Sequence, residues 1–299
     1  MSRWSPSRLQ RPLLLFASLG ISTACATAGR PTAGDARSDV RCFDVSSLDP
    51  ALQRLADRVL LEASDGEALY TLAGGLKPLS SGRSFAYEIA PVLNRAAVDS
   101  LEQLRRVTLA LSCGDIGAFV HVFTATSDGA SGNTRRTAEV VVYHRESVKR
   151  AVVRQANFFA TLGVTPSTEV RSVLAAVENA PRADRWRGYG LLYGYPDRAV
   201  DFFVRAGIEG DSTKQIVPRD FLRIETFRKF PDTRDGPPVL SSFVYAVPKG
   251  ATTDEADAAL QRAAAPIYAR YARAREATVR ADSTGAVQLW RAWLLSGAR

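Results

Sequence analysis

Apolar residues recur at helical spacing in several parts of the chain. After Asp49-Pro50, which suit an N-cap and a first helical position, leucine and valine recur every three or four residues through about Ala63. The same spacing predicts further helices at about 97–112, 146–162, 165–178 and 197–206. Gly163 and Gly207 are the residue type that commonly follows a helix, so we expect helices to end there.

Two stretches rich in β-branched and aromatic residues predict a hairpin. They span 116–126 and 136–144 and are joined by turn formers. Further strands are predicted at 84–90, 221–229 and 241–247. Because the strands cluster rather than alternate with helices, we predict an α+β fold: a single domain with an antiparallel β-sheet packed against several amphipathic helices.

The first part of the chain has a different pattern. Three arginines precede a short apolar core at 12–21, and small residues surround Cys25. This is typical of a secretory signal peptide and is too short for a stable membrane-spanning helix. The segment resembles the bacterial lipoprotein signal, in which a cysteine after small residues is lipidated and becomes the new N-terminus. It departs from that signal at Ser22, where an aliphatic residue is usual.

The resemblance implies a division of the chain into three parts. Residues 1–25 would be the signal peptide, 26–41 a polar flexible tether, and 42–299 the single domain. The protein would then be exported and held to the periplasm-facing membrane or the outer membrane by its N-terminal lipid. The alternative is ordinary signal-peptidase cleavage shortly after Cys25, which would give a periplasmic or secreted protein.

Cysteine usage fits an exported protein. If Cys25 carries lipid, Cys42 and Cys113 remain as a pair in an oxidising compartment, and we predict a disulfide between them. Such a bond closes a loop of about 70 residues and is worth about 4 kcal/mol on the chain-entropy model. The alternative is two unrelated buried thiols.

The net charge of +8 is concentrated at the two ends of the chain. The last quarter is predicted to be helical, with a capping box at Thr252–Glu255 and a bend or interruption at Pro266. One side of it is predicted to form a basic surface, made of Arg262, Arg270, Arg273 and Arg280. With Trp290 and Trp293 at its boundary, this surface would suit an anionic envelope component. The alternative is a solvated helix face, and the abundance of arginine over lysine indicates codon bias rather than a nucleic-acid partner.

Recognised catalytic motifs are absent from the sequence: CxxC, HExxH, the P-loop, GxSxG and SxxK. No metal or cofactor site is predicted. An enzyme hypothesis would use His121 or His144 as a general base, oriented by Glu139 or Asp115. The alternative is that each histidine is a satisfied core or edge residue.

The register of the predicted hairpin decides whether the two histidines are neighbours. If residues 126 and 135 pair, residue 121 faces 140, and both histidines share a face of the sheet. A slip of one residue would place them on opposite faces.

Two predicted loops are candidate binding elements. Residues 74–83 bring Lys77 and Arg83 among glycines and serines, which suits a phosphate or carboxylate. Residues 188–197 would present an aromatic group around a pocket, made of Tyr189, Tyr193 and Tyr195 with Asp197 beside it. The glycine spacing in the second loop does not fit a dinucleotide-binding fingerprint. The alternatives are a plain surface connection and a tight turn that packs aromatic rings into the core.

These observations lead to two hypotheses of function. The first is an exported, lipid-anchored envelope protein with a binding or interaction role. The second is a periplasmic enzyme, such as a hydrolase, that uses one of the two histidines with a nearby carboxylate.

Overall fold

Helices and strands cluster along the chain as an α+β fold requires. The computed structural model describes residues 42–89, 94–127, 134–228 and 243–297. The elements in chain order are α1 (Pro50–Asp65), α2 (Leu69–Leu72), β1 (Leu79–Glu88), α3 (Arg95–Ala110), β2 (Ile116–Val122), β3 (Thr126–Ser127), β4 (Thr134–His144), α4 (Arg145–Arg154), α5 (Ala156–Thr161), α6 (Val170–Glu178), α7 (Arg182–Leu192), α8 (Asp197–Thr213), β5 (Arg219–Arg223), β6 (Val244–Pro248), α9 (Glu255–Thr278) and α10 (Ala286–Gly297). The predicted fold class is therefore confirmed. The predicted signal peptide, the lipidation site Cys25 and the tether lie outside the described residues.

The main sheet is antiparallel, with the strand order β1-β4-β2 and the short β3 also paired to β4. Its two faces carry different cores. Ala118 and Val140 belong to the cluster that includes α1, α3 and α10, whereas Phe119 and Val141 belong to the cluster under α4, α6 and α7. A separate two-stranded sheet joins β5 to β6.

The predicted hairpin is present, but its register is only partly the one predicted. Thr126 pairs with Arg135 as expected, whereas His121 pairs with Glu139 and not with residue 140. The chain between β2 and β3 has one more residue than the facing part of β4, and this extra residue shifts the register. His121 and His144 therefore lie on opposite faces of the sheet, so the prediction of a shared face is wrong.

Several predicted boundaries differ from the observed ones. The loop predicted at 74–83 ends earlier, because β1 begins at Leu79. The helix predicted at 146–162 is divided at Gln155 into α4 and α5, and Gly163 follows α5 with a positive φ of 69°. The helix predicted from 165 begins only at Val170.

Two glycines, one predicted to lie in a loop and one predicted to end a helix, serve close packing inside helices instead. A Cβ atom at Gly188 would lie 2.7 Å from the side chain of Val177, and one at Gly207 would lie 2.4 Å from the ring of Trp186. Gly188 lies inside α7, so the first half of the loop predicted at 188–197 is helical. Gly207 lies inside α8, which continues past the predicted end at residue 206 to Thr213.

The C-terminal helices also differ from the predictions made for the capping box, for Pro266 and for the two tryptophans. The capping box of α9 is formed by Asp254 and Asp257, two residues later than predicted, and α9 continues through Pro266 without interruption. Trp290 and Trp293 are buried in the core, with 0% and 8% exposure, so they do not form a boundary for a basic surface.

Cys42 and Cys113 lie together beside the main sheet. Their sulfur atoms are 1.93 Å apart, a distance compatible with a disulfide bond. The backbone N–H of Phe43 donates to the carbonyl of Ser112, and Arg291 of α10 donates to the carbonyls of Cys42 and Phe43. The first described residues are therefore fastened both to the end of α3 and to α10.

In the part of the chain that the structure describes, we find no helix with the length and apolarity needed to cross a bilayer.

The packing at Gly207 gives a testable prediction. Gly207→Ala should destabilise the fold by about 1–3 kcal/mol, because the added methyl group overlaps the half-buried ring of Trp186. Urea denaturation would measure the change. In a Trp186→Ala background the same substitution should stabilise by up to about 1 kcal/mol, because alanine has the higher helix propensity. Equal effects in both backgrounds would contradict this account.

Candidate functional site

A row of polar and ionisable side chains crosses the face of the main sheet that α7 covers. From β2 towards α1, it consists of His121, Glu139, Ser81, Glu67 and Lys77, and we call it the polar row. His121 and Glu139 are cross-strand partners, and the backbone N–H of Ser81 donates to Oε1 of Glu67 at 2.9 Å. The row thus links all three long strands to the segment between α1 and α2.

Lys77 and Glu67 form a buried ion pair at one end of the row. Nζ of Lys77 donates to Oε2 of Glu67 at 2.9 Å, and the two side chains are 0% and 2% exposed. Burial lowers the pKa of Lys77, and the carboxylate of Glu67 opposes that shift. Removal of either partner would leave a charge in the interior without its counter-ion.

Three aromatic rings surround the ammonium group of Lys77. Its Nζ lies 3.9 Å from the ring centre of Phe243, 4.9 Å from that of Tyr195 and 5.7 Å from that of Tyr193. Such contacts attract a cation through the negative faces of the rings. Gly194 lies against the backbone of Lys77, where a Cβ atom would lie 3.3 Å from the Cα atom. The two segments predicted as binding loops therefore meet around this ammonium group.

Glu139 occupies the middle of the row. The hydroxyl of Tyr193 donates to its Oε1 at 3.3 Å, and the residue is 2% exposed. Burial raises the pKa of Glu139 to about 7; a hydrogen bond with Ser81 opposes the shift, and the nearby Glu67 increases it. Glu139 therefore changes its charge near neutral pH inside the protein.

His121 forms the outer end of the row and is only partly buried. Burial lowers the pKa of His121, and the nearby Glu178 opposes that shift. Its Nε2 atom is buried and meets no hydrogen-bond partner among the described residues. Glu178 accepts hydrogen bonds from the backbone of Thr124 at 2.7 Å and from the hydroxyl of Tyr189, so it ties α6 to α7 and to the end of β2.

His144 has a structural position instead. Its Nδ1 accepts a hydrogen bond from the backbone N–H of Ser147 at 3.3 Å and so caps the first turn of α4. Asp115 is exposed near it and accepts the backbone N–H of Arg145 through its carbonyl at 2.8 Å. The ring of His144 is therefore used to begin a helix, and lies across the sheet from the polar row.

Other candidate residues lie away from the row. Arg83 pairs with Glu62 of α1 at 2.7 Å. Asp197 begins α8, is exposed, and accepts from the side chain of Gln155 at 2.9 Å. Neither contacts Lys77, so the binding residues predicted from the two loops are brought together only in part.

The four arginines of the predicted basic surface differ in their surroundings. Arg262 forms an ion pair with Glu255, and Arg270 lies 3.8 Å from the ring centre of Trp293 and donates to Ser296. Arg273 and Arg280 are exposed. Part of the charge on α9 is therefore engaged within the protein.

Sequence reasoning missed Glu67, Ser81 and Glu178. Glu67 is followed by the apolar run Ala68–Tyr70, and a carboxylate next to such a run is a signal for a buried ionic partner. Ser81 and Glu178 carry no comparable signal, because their roles arise from tertiary contacts.

Two cavities in the described part of the molecule lie away from the polar row. A small apolar cavity of about 10 Å³ lies between α1 and the main sheet, near Leu60 and Val140. An open groove of about 420 Å³ runs along α7 and α8 and includes the ion pair of Arg187 with Asp201. Neither includes a residue of the polar row.

Comparison of the chain with family models, with curated proteins and with solved structures finds no match. The described residues also include no cluster of three or more histidine, cysteine, aspartate or glutamate side chains placed to bind a metal ion. What the site can do is therefore argued from its own side chains.

Ionisation of Glu139 should make stability depend on pH. The pKa of Glu139 is raised from 4.5 to about 7 on folding, so between these pH values the folded state binds more protons than the unfolded state. The free energy of unfolding therefore falls as pH rises through this range, by about 3 kcal/mol in total. Glu139→Gln should remove this decline in urea denaturation at pH 5 to 8. Glu62→Gln, at a half-exposed ion pair, should keep it. If the fall in stability with pH persists in Glu139→Gln, another titrating group is responsible for it.

The buried ion pair gives a second prediction. Lys77→Met should destabilise the fold by about 3–5 kcal/mol, because Glu67 is left buried without its counter-ion. Addition of Glu67→Gln should recover part of the loss, because the amide oxygen still accepts from Ser81. The matched control Arg83→Met, at a partly exposed pair, should cost no more than about 1 kcal/mol. Similar losses in Lys77→Met and Arg83→Met would contradict this account.

Proposed function

We propose that this chain is an exported protein of the cell envelope, anchored by a lipid on Cys25, whose domain binds a partner rather than transforming a substrate. The anchor would place it on the periplasm-facing membrane or the outer membrane. The proposal combines the pattern of the first 41 residues with the cysteine arrangement of the domain.

The single observation that carries the proposal is the meeting of Cys42 with Cys113. Their sulfur atoms lie at a distance compatible with a disulfide, a bond that persists mainly in oxidising compartments outside the cytosol. Of the three cysteines, this pairing leaves Cys25, which follows small residues at the end of an export signal. Each cysteine then has a role that requires export.

The burial of Lys77 and Glu139 in the polar row supports a binding role over a catalytic one. Lys77 and Glu139 are at most 2% exposed; Lys77 is paired with Glu67, and Glu139 accepts a hydrogen bond from Tyr193. A catalytic group must touch its substrate, and these side chains contact protein instead. Their chemistry therefore serves to join α7 to the sheet.

A second candidate function, an exported hydrolase, is favoured by the surroundings of His121. Its ring is near Glu178, burial lowers its pKa and so favours the neutral form, and Phe123 packs between this ring and Tyr189. A neutral imidazole is the form that acts as a general base. Hydrolysis of a generic aryl ester by the protein, lost in His121→Gln with unchanged thermal stability, would favour this function over binding.

Lipidation is tested by labelling cells with radioactive palmitate. We expect label on the wild-type protein and none on Cys25→Ser, because the acyl chains require that thiol. Cys42→Ser is the matched control and should retain the label if it is exported. Label-free wild-type protein, or a mature protein that still carries Met1 inside the cell, would contradict the proposal.

A further inference from the structure

The segment from α8 to the end of β5 exposes two large apolar side chains among basic ones. Ile216 is 85% exposed and Phe221 is 63% exposed, which places both among the most exposed large apolar residues of the described chain. Lys214, Arg219 and Arg223 accompany them in the same ten residues. We call residues 214–223 the 214–223 surface.

The strand geometry gives this surface a definite pattern. Arg219, Phe221 and Arg223 occupy alternate positions of β5, so their side chains share one face with the aromatic ring in the middle. Nε of Arg219 donates to the carbonyl of Val217 at 3.0 Å, which positions its guanidinium group. An apolar ring flanked by two guanidinium groups therefore lies on one side of a short strand.

Three of the acids near this surface are engaged in other contacts. Asp220 points to the opposite face of β5 and accepts from Nζ of Lys249 at 2.8 Å. Asp211 pairs with Arg182 at 2.9 Å. Glu225 lies beyond the end of the strand and interacts with Tyr268. The face of β5 that carries Phe221 therefore bears two arginines and no acid of the strand.

We infer that the 214–223 surface docks on a bilayer that contains anionic lipids. Ile216 and Phe221 would enter the region between headgroups and acyl chains, while the basic side chains would contact lipid phosphates. This inference rests on the proposed function, because the lipid on Cys25 is what brings the domain to a membrane.

The length of chain between the anchor and the domain allows this docking. Residues 26–41 can span at most about 55 Å when fully extended. A domain of the size of residues 42–299 has a radius of gyration of about 18 Å. The fully extended tether is about three times as long as this radius, so any face of the domain can reach the bilayer. The apolar and charged side chains on each face then decide which face docks.

The C-terminal basic surface offers less to a membrane. Arg262 is paired with Glu255, and Arg270 lies on Trp293, which is itself buried. One apolar side chain, Leu295, is exposed beside Ser296, to which Arg270 donates. Charge with little exposed apolar surface gives weak, salt-sensitive attraction. The 214–223 surface places two exposed apolar side chains among three basic ones within ten residues.

The test uses the full chain carrying Cys25→Ser, so that lipid on the anchor does not contribute. Sedimentation with phosphatidylcholine vesicles, with and without phosphatidylglycerol, should show binding to the anionic vesicles that weakens as salt is raised. Arg219→Gln and Arg223→Gln should each weaken binding about fivefold. Phe221→Ser should weaken it about tenfold, because the ring no longer enters the interface.

Two matched controls distinguish docking through this surface from nonspecific adsorption to vesicles. Leu109→Ser removes an apolar side chain that is 71% exposed on α3, and Arg273→Gln removes an exposed arginine on α9. Both should bind vesicles as the parent chain does. Equal binding to neutral and anionic vesicles, or a parent-like affinity of Phe221→Ser, would overturn the inference and leave a protein partner as the occupant of this surface.

The two proposals fail separately. Absence of palmitate label together with Phe221-dependent vesicle binding would overturn the anchor and support the docking surface. Label on Cys25 without vesicle binding by the Cys25→Ser chain would support the anchor and overturn the docking surface.

Discussion

The buried pair of Lys77 with Glu67 is the constraint on which the arrangement of the domain depends. An ammonium group and a carboxylate with no access to water are stable only while each faces the other and their remaining hydrogen-bonding atoms are satisfied. Ser81 of β1 satisfies Glu67, and Phe243 and Tyr195 shield Lys77. Segments far apart in the chain must therefore be in place together, which makes this region cooperative.

The middle of the polar row adds a requirement on α7. Tyr193 contributes a hydroxyl to Glu139, and the glycine at position 188 lets α7 approach α6 closely. Hydrogen bonding and backbone proximity are thus two parts of one packing solution. The candidate binding side chains that retain access to solvent lie elsewhere, on β5 and near His121 at the outer end of the polar row.

The sequence predicted what depends on local pattern and failed where distant contacts decide. Asp49-Pro50 began α1 as expected, because capping and proline geometry act within one turn. The histidine register failed because an extra residue between β2 and β3 leaves no periodic signal. Gly207 was mistaken for a helix end, since only the neighbouring Trp186 explains it. Of the site, Lys77 and its tyrosines were identified, whereas Glu67 was visible only as a polar residue beside an apolar run.

The fastening of Cys42 has a mechanical consequence. The residue lies at bonding distance from Cys113, and its carbonyl accepts a hydrogen bond from Arg291 of α10. A pull on the chain ahead of this point would be shared between the end of α3 and the C-terminal helix rather than peeling the first turn away. The force would therefore act on the domain as a whole and would not unfold it from its first residues.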